Sequence, residues 1–203
     1  LVDFDRVSES NINRQILALH STIGELKTDA AECRVMDINP ECTIEKYPVV
    51  ISSDNLGIFS SADIILDCID SLGAKIELLS YAYEHGIPAV SSMGAALRRS
   101  VTHIHIADIM DTYGCPLAKE VRKGLRKKGM SKGIRCVFSS EEVRFTYRDP
   151  DTDSEAENMP GTERKRPVLG SLPTVTAVFG EYMAELALKE LLPAGAMDSR
   201  DVR

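Results

Sequence analysis

The chain has 203 residues, of which 43% are hydrophobic and 27% charged, with a formal net charge of −7. This is an ordinary soluble globular composition, long enough for one sizeable domain and a small appendage, and its acidity means a phosphate-rich partner must be met by a local basic patch. No apolar run approaches the roughly 20 residues of a membrane-spanning helix, the start is acidic where a signal peptide would be basic, and five cysteines without a CxxC pair argue against a disulfide framework or a four-thiolate zinc site.

The chain therefore reads as reduced and cytoplasmic. It opens on Leu1-Val2-Asp3, an apolar approach to an acid, which reads as the end of a strand begun upstream and hence as an N-terminally incomplete copy of a longer protein. Glu25 to Ile38 follows Gly24 with helix-forming residues and stops at Asn39-Pro40. Thr43 to Ile51 is β-branched and predicts a strand. Ala62 to Cys68 is a short apolar run that predicts a strand buried on both faces, with Cys68 in the core. A helix from Leu72 to His85 is ended by Gly86, with Pro88 just beyond. Ala89 to Ser91 predicts another short strand leading into Gly94. Thr102 to Ile106 alternates, which places His103 and His105 on one face of a strand.

Helix and strand alternating over short connections predict an α/β fold with a doubly wound, mostly parallel sheet. Ligands in such sheets bind beyond the carboxyl ends of the strands, which singles out Asp3, Asp67, Asp70 and Gly94. Gly94 and Gly170 are expected to serve as conformational glycines near that mouth.

The second half differs in character. Lys119 to Arg135 carries eight basic residues against the single acid Glu120. Lys119, Arg122, Lys123, Arg126 and Lys127 recur at helical spacing, wider than one narrow stripe, as a surface tracking a nucleic-acid backbone would. Residues 149–169 are polar, without hydrophobic periodicity, and predict a mobile loop. Thr174 to Leu192 is an apolar helix expected to pack back on the same domain. The expected organisation is thus a nucleotide-binding domain over 1–148 that includes the basic segment 116–135, the loop 149–169 and a C-terminal helix within 170–193.

The richest segment is Asp3-Phe4-Asp5 followed by Ser10-Asn11-Ile12-Asn13-Arg14-Gln15. An acid at a strand end suits a ribose, and an arginine with amides just beyond suits phosphate oxygens through forked, charge-assisted bonds. Lys27, near the start of the next helix, adds a point charge, and Asp67 and Asp70, which flank Cys68-Ile69 after the buried strand, place carboxylates suited to a magnesium ion bridging phosphates.

In this order, "LVDFDRVSESNINRQ", "GELK", "INPEC", "DIILDCIDS" and "IPAVSSMGA" resemble the ThiF/MoeB/E1-like superfamily, whose members adenylate a carboxylate with MgATP. The resemblance implies ATP and Mg2+ as cofactors, a Rossmann-like, E1-like fold and a homodimer. It places Asp3 on the ribose, with Asp5, Asn11 and Asn13 in the nucleotide-binding set. Arg14 and Lys27 fall on phosphates and Asp70 on magnesium, so that Arg14, Lys27 and Asp70 are the expected catalytic residues. In the family a first strand and a glycine-rich phosphate turn come before the "DFD" segment; they are missing from this sequence, and the expectation is that a parent protein supplies them or that the fragment cannot bind ATP properly. Further on, "THIHIADIMDTYGCPLAKEVRKGLRKKG", "CVFSSEE" and "GSLPTVTAVFGEYMAELALKELL" resemble the branch that dehydrates threonylcarbamoyladenosine in tRNA. That branch implies tRNA as partner, held by Lys119, Arg122, Lys123, Arg126 and Lys127. Two other readings stay open: an adenylyltransferase that activates a ubiquitin-like or sulfur-carrier protein, with a sulfur-transfer partner, and a non-catalytic E1-like scaffold. Cys115 and Cys136 are candidate thiol nucleophiles, with a structural role ranked first.

Overall fold

The computed structural model describes residues 1–143, 157–158, 165–166 and 169–193. Four strands form the main sheet: β1 (Ile65–Asp67), β2 (Ala89–Ser92), β3 (Ile104–Asp108) and β4 (Arg135–Ser139), in the order β1-β2-β4-β3. β1, β2 and β4 run parallel, and β3 pairs antiparallel with β4, His105 opposite Phe138. The parallel strands are joined by helices, as parallel neighbours require. Four helices complete the body: α1 (Lys27–Ile38), α2 (Leu72–Glu84), α3 (Pro116–Lys127) and α4 (Pro173–Leu191).

The sheet is covered on both faces. On one, Leu79 of α2 and Val121 and Leu125 of α3 pack with Cys136 and Phe138 of β4. On the other, Val175, Phe179, Met183 and Leu186 of α4 recur at helical spacing against Val90, Ile104 and Val137. Prolines at the first helical position start both α3 and α4, where the missing N–H costs nothing. Gly86 ends α2 in the left-handed region at φ +65°, as its position predicts. The α2–α3 contact is close enough that a Cβ on Gly124 would stand 2.3 Å from Ile76 Cδ1.

Several local expectations are corrected. Thr43–Ile51 forms no extended strand: Tyr47 makes one parallel bridge to Val2. Pro48 then removes the next donor, and Val49 N–H turns back to the Tyr47 carbonyl. β1 is shorter than the apolar run and buried on one face only, with Leu66 exposed to 47%, because α4 packs over β2, β3 and β4. Cys68 falls past the end of β1 and is exposed rather than in the core. His103 lies in a 3-10 turn (Val101–His103) ahead of β3, whereas His105 is in the strand with Nε2 2.8 Å from Ser140 Oγ. The basic helix begins and ends earlier than its charges suggest. Neither Gly94 nor Gly170 adopts the left-handed region. Of the expected loop 149–169, Glu157–Asn158 and Lys165–Arg166 pair as an antiparallel ladder, β5 and β6; apart from these and the stretch beginning at Leu169, it lies outside the described residues, as do 144–148.

Candidate active site at the carboxyl edge of the sheet

The first segment is folded by its own backbone pairing. Val7 N–H donates to Glu25 O, Gly24 N–H to Val7 O and Lys27 N–H to Asp5 O, so residues 5–7 run antiparallel to 24–27. This ladder delivers the first residue of α1 opposite Asp5. Lys27 Nζ lies 2.6 Å from Asp5 Oδ2 and 4.0 Å from Asp3 Oδ2. Asp3 Oδ1 accepts the Asp5 N–H at 2.8 Å. Burial pushes the Asp3 carboxyl above its ordinary value, and the charges of Asp5 and Asp70 add to that rise against the Asp5 N–H and Lys27, which lower it. Asp70, just beyond β1, is thus within electrostatic reach of Asp3, and the structure brings Asp3, Asp5, Lys27 and Asp70 into one neighbourhood.

Asn11, Asn13 and Arg14 form an adjoining turn. Asn11 is buried and accepts the Ser8 N–H, while Arg14 Nη1 donates to Ser10 O at 2.7 Å and to Asn13 Oδ1 at 3.0 Å. The turn is fastened to the start of α4: Asn13 Nδ2 donates to Ser171 O at 3.3 Å, and the Thr176 hydroxyl, whose single proton is shared with Pro173 O at 3.1 Å, reaches Arg14 O at 3.3 Å. Leu97 N–H donates to Gly170 O at 2.9 Å, so the lead into α4 also holds the loop after β2. Among the described contacts Arg14 does not touch Lys27.

A second clasp closes the neighbouring rim. Arg98 is 2% exposed, and its guanidinium donates to the carbonyls of Glu141 and, at 3.5 Å, Gly114. The Glu141 carboxylate returns the contact, accepting the N–H groups of Arg99 and Ser100 at 2.8 and 3.0 Å, and these bonds hold it below the usual carboxylate range. Gly114, at φ +69°, has no room for a side chain, since a Cβ would lie 2.8 Å from Ser140 O.

Lys75 and Ser91, absent from the expected set, bind the strand ends from beneath. They correct the expectation for Asp67: rather than opening to the mouth, it forms a fully buried ion pair with Lys75 at 2.6 Å, and Ser91 Oγ donates to the same carboxylate oxygen at 2.5 Å. A signal for Lys75 exists in the sequence: it shares a helical face with Leu78, Leu79 and Ala82, where a lone cation needs a buried partner.

The basic helix is narrower in presentation than expected. Lys119, Lys123, Arg126 and Lys127 are exposed, and their spacing places them along one face of α3. Arg122 instead reaches inward and donates to Thr112 Oγ1. Lys128 and Lys132 are paired with Glu77 and Asp111. Cys115 and Cys136 are both buried, and burial pushes the Cys136 thiol up to about 12. Cys136 has no exposure at all, in keeping with the structural role ranked first for it.

A parallel-dominated sheet covered on both faces defines a Rossmann-type α/β protein, a fold whose ligands bind at the carboxyl edge of the sheet. The sequence profile of the ThiF family matches residues 1–201, and the chain belongs to that family. It is 41% identical over 143 residues to a tRNA threonylcarbamoyladenosine dehydratase of Bacillus subtilis, covering 70% of this chain and 56% of that one. An Escherichia coli protein of the same name is 31% identical over 207 residues, covering 97% and 77%. The E. coli dehydratase TcdA in complex with ATP superposes with a TM-score of 0.77 at 31% identity, covering 94% of this chain and 73% of that one. The chain spans little more than half the length of the Bacillus relative and 42% of a Saccharomyces cerevisiae one.

Proposed function

We propose that the chain is the nucleotide-binding body of an enzyme that uses ATP to activate the carboxylate of N6-threonylcarbamoyladenosine in tRNA, leading to its dehydration and cyclisation. The observation that carries this reading is the Lys27 ammonium set 2.6 Å from Asp5 and 4.0 Å from Asp3, with Asp70 within electrostatic reach of Asp3, in a chain that superposes on an ATP-bound dehydratase.

ATP supplies a phosphoanhydride whose cleavage makes AMP a leaving group on the substrate carboxylate. The residues of this chain bind and neutralise. Asp3 accepts hydrogen bonds from the ribose. Lys27, released from Asp5, meets phosphate oxygens, and Arg14 offers them the part of its fork not bound to Ser10 and Asn13. Asn11 and Asn13 hold the shape of the turn that presents Arg14. Charge stabilisation and positioning are the main catalytic resources for such a reaction.

The acids also fit Mg2+. Burial raises the proton affinity of Asp3 and the charges of Asp5 and Asp70 add to it, a repulsion that a divalent cation relieves, and Mg2+ needs only one or two carboxylates when phosphates complete its sphere. Asp70 would hold it. Lys119, Lys123, Arg126 and Lys127 would follow the tRNA backbone as one exposed face, with Arg122 bracing the loop at Thr112. We further infer a homodimer working in the cytoplasm, on the strength of the family and of the tRNA named as substrate of its similar relatives.

The test is direct. The whole protein is incubated with MgATP and tRNA bearing the modification, the tRNA is digested, and the nucleoside is followed by mass spectrometry with AMP release in parallel. Loss of one water that depends on ATP supports the reading. An unchanged nucleoside with ATP still bound would move the reading to activation of a carrier protein, and absence of ATP binding to a scaffold.

A further inference from the structure

We propose that Lys75 is a positioning residue: its buried ammonium fixes the loop between β1 and α2 that presents Asp70. The Asp70 assignment rests on the proposed function; the geometry beneath it does not.

Lys75 and Asp67 have side chains with no solvent exposure. The ammonium has three donors, and three acceptors surround it: Asp67 Oδ2 at 2.6 Å, Ser92 O at 3.0 Å and Ser91 Oγ at 3.3 Å. Asp67 ends β1, Ser91 and Ser92 end β2, and Lys75 sits in the first turns of α2, so one cation ties three elements at the carboxyl edge. The other oxygen of Asp67 accepts the Ile69 N–H at 3.0 Å. That amide immediately precedes Asp70. The chain of contacts from Lys75 to the Asp70 backbone is therefore two hydrogen bonds long.

Stability alone is a poor reason for this arrangement. Two charges removed from water carry a desolvation cost that an apolar pair of similar size avoids, and such replacements are often neutral or stabilising. What an apolar pair lacks is direction. Saturated donors aimed at fixed acceptors hold the Asp67 carboxylate in one orientation, and that orientation sets the turn through Ile69.

The experiment uses Lys75→Met in the whole protein, with amide hydrogen exchange read by mass spectrometry. The expected result is faster exchange across residues 68–71, by about tenfold, with α3 and β4 protected as in the wild type; alongside it, the Mg2+ concentration for half-maximal MgATP binding rises about tenfold, the size usual for supporting contacts of a metal site. Unchanged exchange across 68–71 in folded Lys75→Met overturns the proposal. Should that variant fail to fold, Ser91→Ala, which keeps the ion pair and removes the hydroxyl bonded to both of its partners, decides instead: faster exchange at 68–71 supports the proposal and wild-type exchange overturns it. If the wild type binds no MgATP, the proposed function fails, and the exchange measurement still decides whether Lys75 positions the loop.

Discussion

The Lys27 ammonium and the Asp5 carboxylate stand 2.6 Å apart, partly shielded, at the point where α1 begins. Without a nucleotide the cation is balanced by acids of its own segment, so phosphate binding has to exchange one set of anions for another.

Lys27→Met is expected to abolish ATP binding while costing only about 1 kcal/mol of stability, since a partly exposed pair contributes little to folding. Isothermal titration with ATP and urea unfolding separate the two. A variant that binds ATP as the wild type does would remove Lys27 from the site.

Two carboxyls of the rim give opposite pH signatures. Asp3 has a raised value when folded, so its ionisation weakens the fold as pH climbs through that value, and Asp3→Asn raises the melting temperature near neutrality. The gain disappears at acid pH, where Asp3 is protonated in both states. Glu141 is held low, so its contribution is present above the ordinary glutamate range and lost as pH falls through the depressed value. Glu141→Gln is therefore expected to lower the melting temperature at neutral pH and to matter progressively less in acid. Thermal unfolding of both variants between acid and neutral pH checks the signs.

Gly124→Ala places a methyl against Ile76, with the Cβ 2.3 Å from Ile76 Cδ1, and overpacking of this kind costs about 1–3 kcal/mol even though alanine favours the helix. Adding Ile76→Val is expected to recover part of the loss. Chemical denaturation of the single and double variants measures the coupling.

The exposed cations of α3 and its inward arginine separate by what they affect. Reversing charge at Lys119, Lys123 and Arg126 is expected to weaken RNA binding and to lower the slope of log K against log salt by about 1 for each phosphate no longer neutralised. Arg122→Met instead breaks the bond to Thr112 and costs about 1 kcal/mol of stability. Salt-dependent RNA titrations and urea unfolding of both variants distinguish the roles.

Thiol labelling of the folded protein at mildly alkaline pH is expected to modify the exposed Cys33 first and Cys68 more slowly, since desolvation of the Cys68 thiol and the charge of Asp67 raise its proton affinity, and to spare Cys115 and Cys136 until unfolding. With its thiol pushed up to about 12, Cys136 carries almost no thiolate in that range. Mass spectrometry after brief alkylation reads the pattern.

Much of this architecture was legible where local chemistry and tertiary packing agree. Gly86 ends α2, Pro173 opens α4, and the acids and Lys27 of the first segment gather in one place as their order suggested. The misses have physical causes. Thr43–Ile51 has strand propensity, but Pro48 and the course of the backbone limit it to one bridge. The strand β4 was hidden because its apolar residues follow a basic stretch that reads as more helix. Arg122 looked like its charged neighbours, and only the fold of Thr112 beneath α3 turns it inward. Lys75 was legible as a cation on an apolar face, but its partner Asp67 could not be chosen from spacing, because the pairing depends on how α2 docks against β1.

The fastening of Asn13 and Arg14 to Ser171 and Thr176 joins the first twenty residues to a helix about 160 positions later. In a chain made from its N-terminus onward, that turn cannot reach its final form until α4 has been synthesised and docked, at the usual 5–20 residues per second roughly ten to thirty seconds after its own residues were joined. Nucleotide binding would therefore be withheld from the nascent chain, and a truncated product would lack the grip of the finished one.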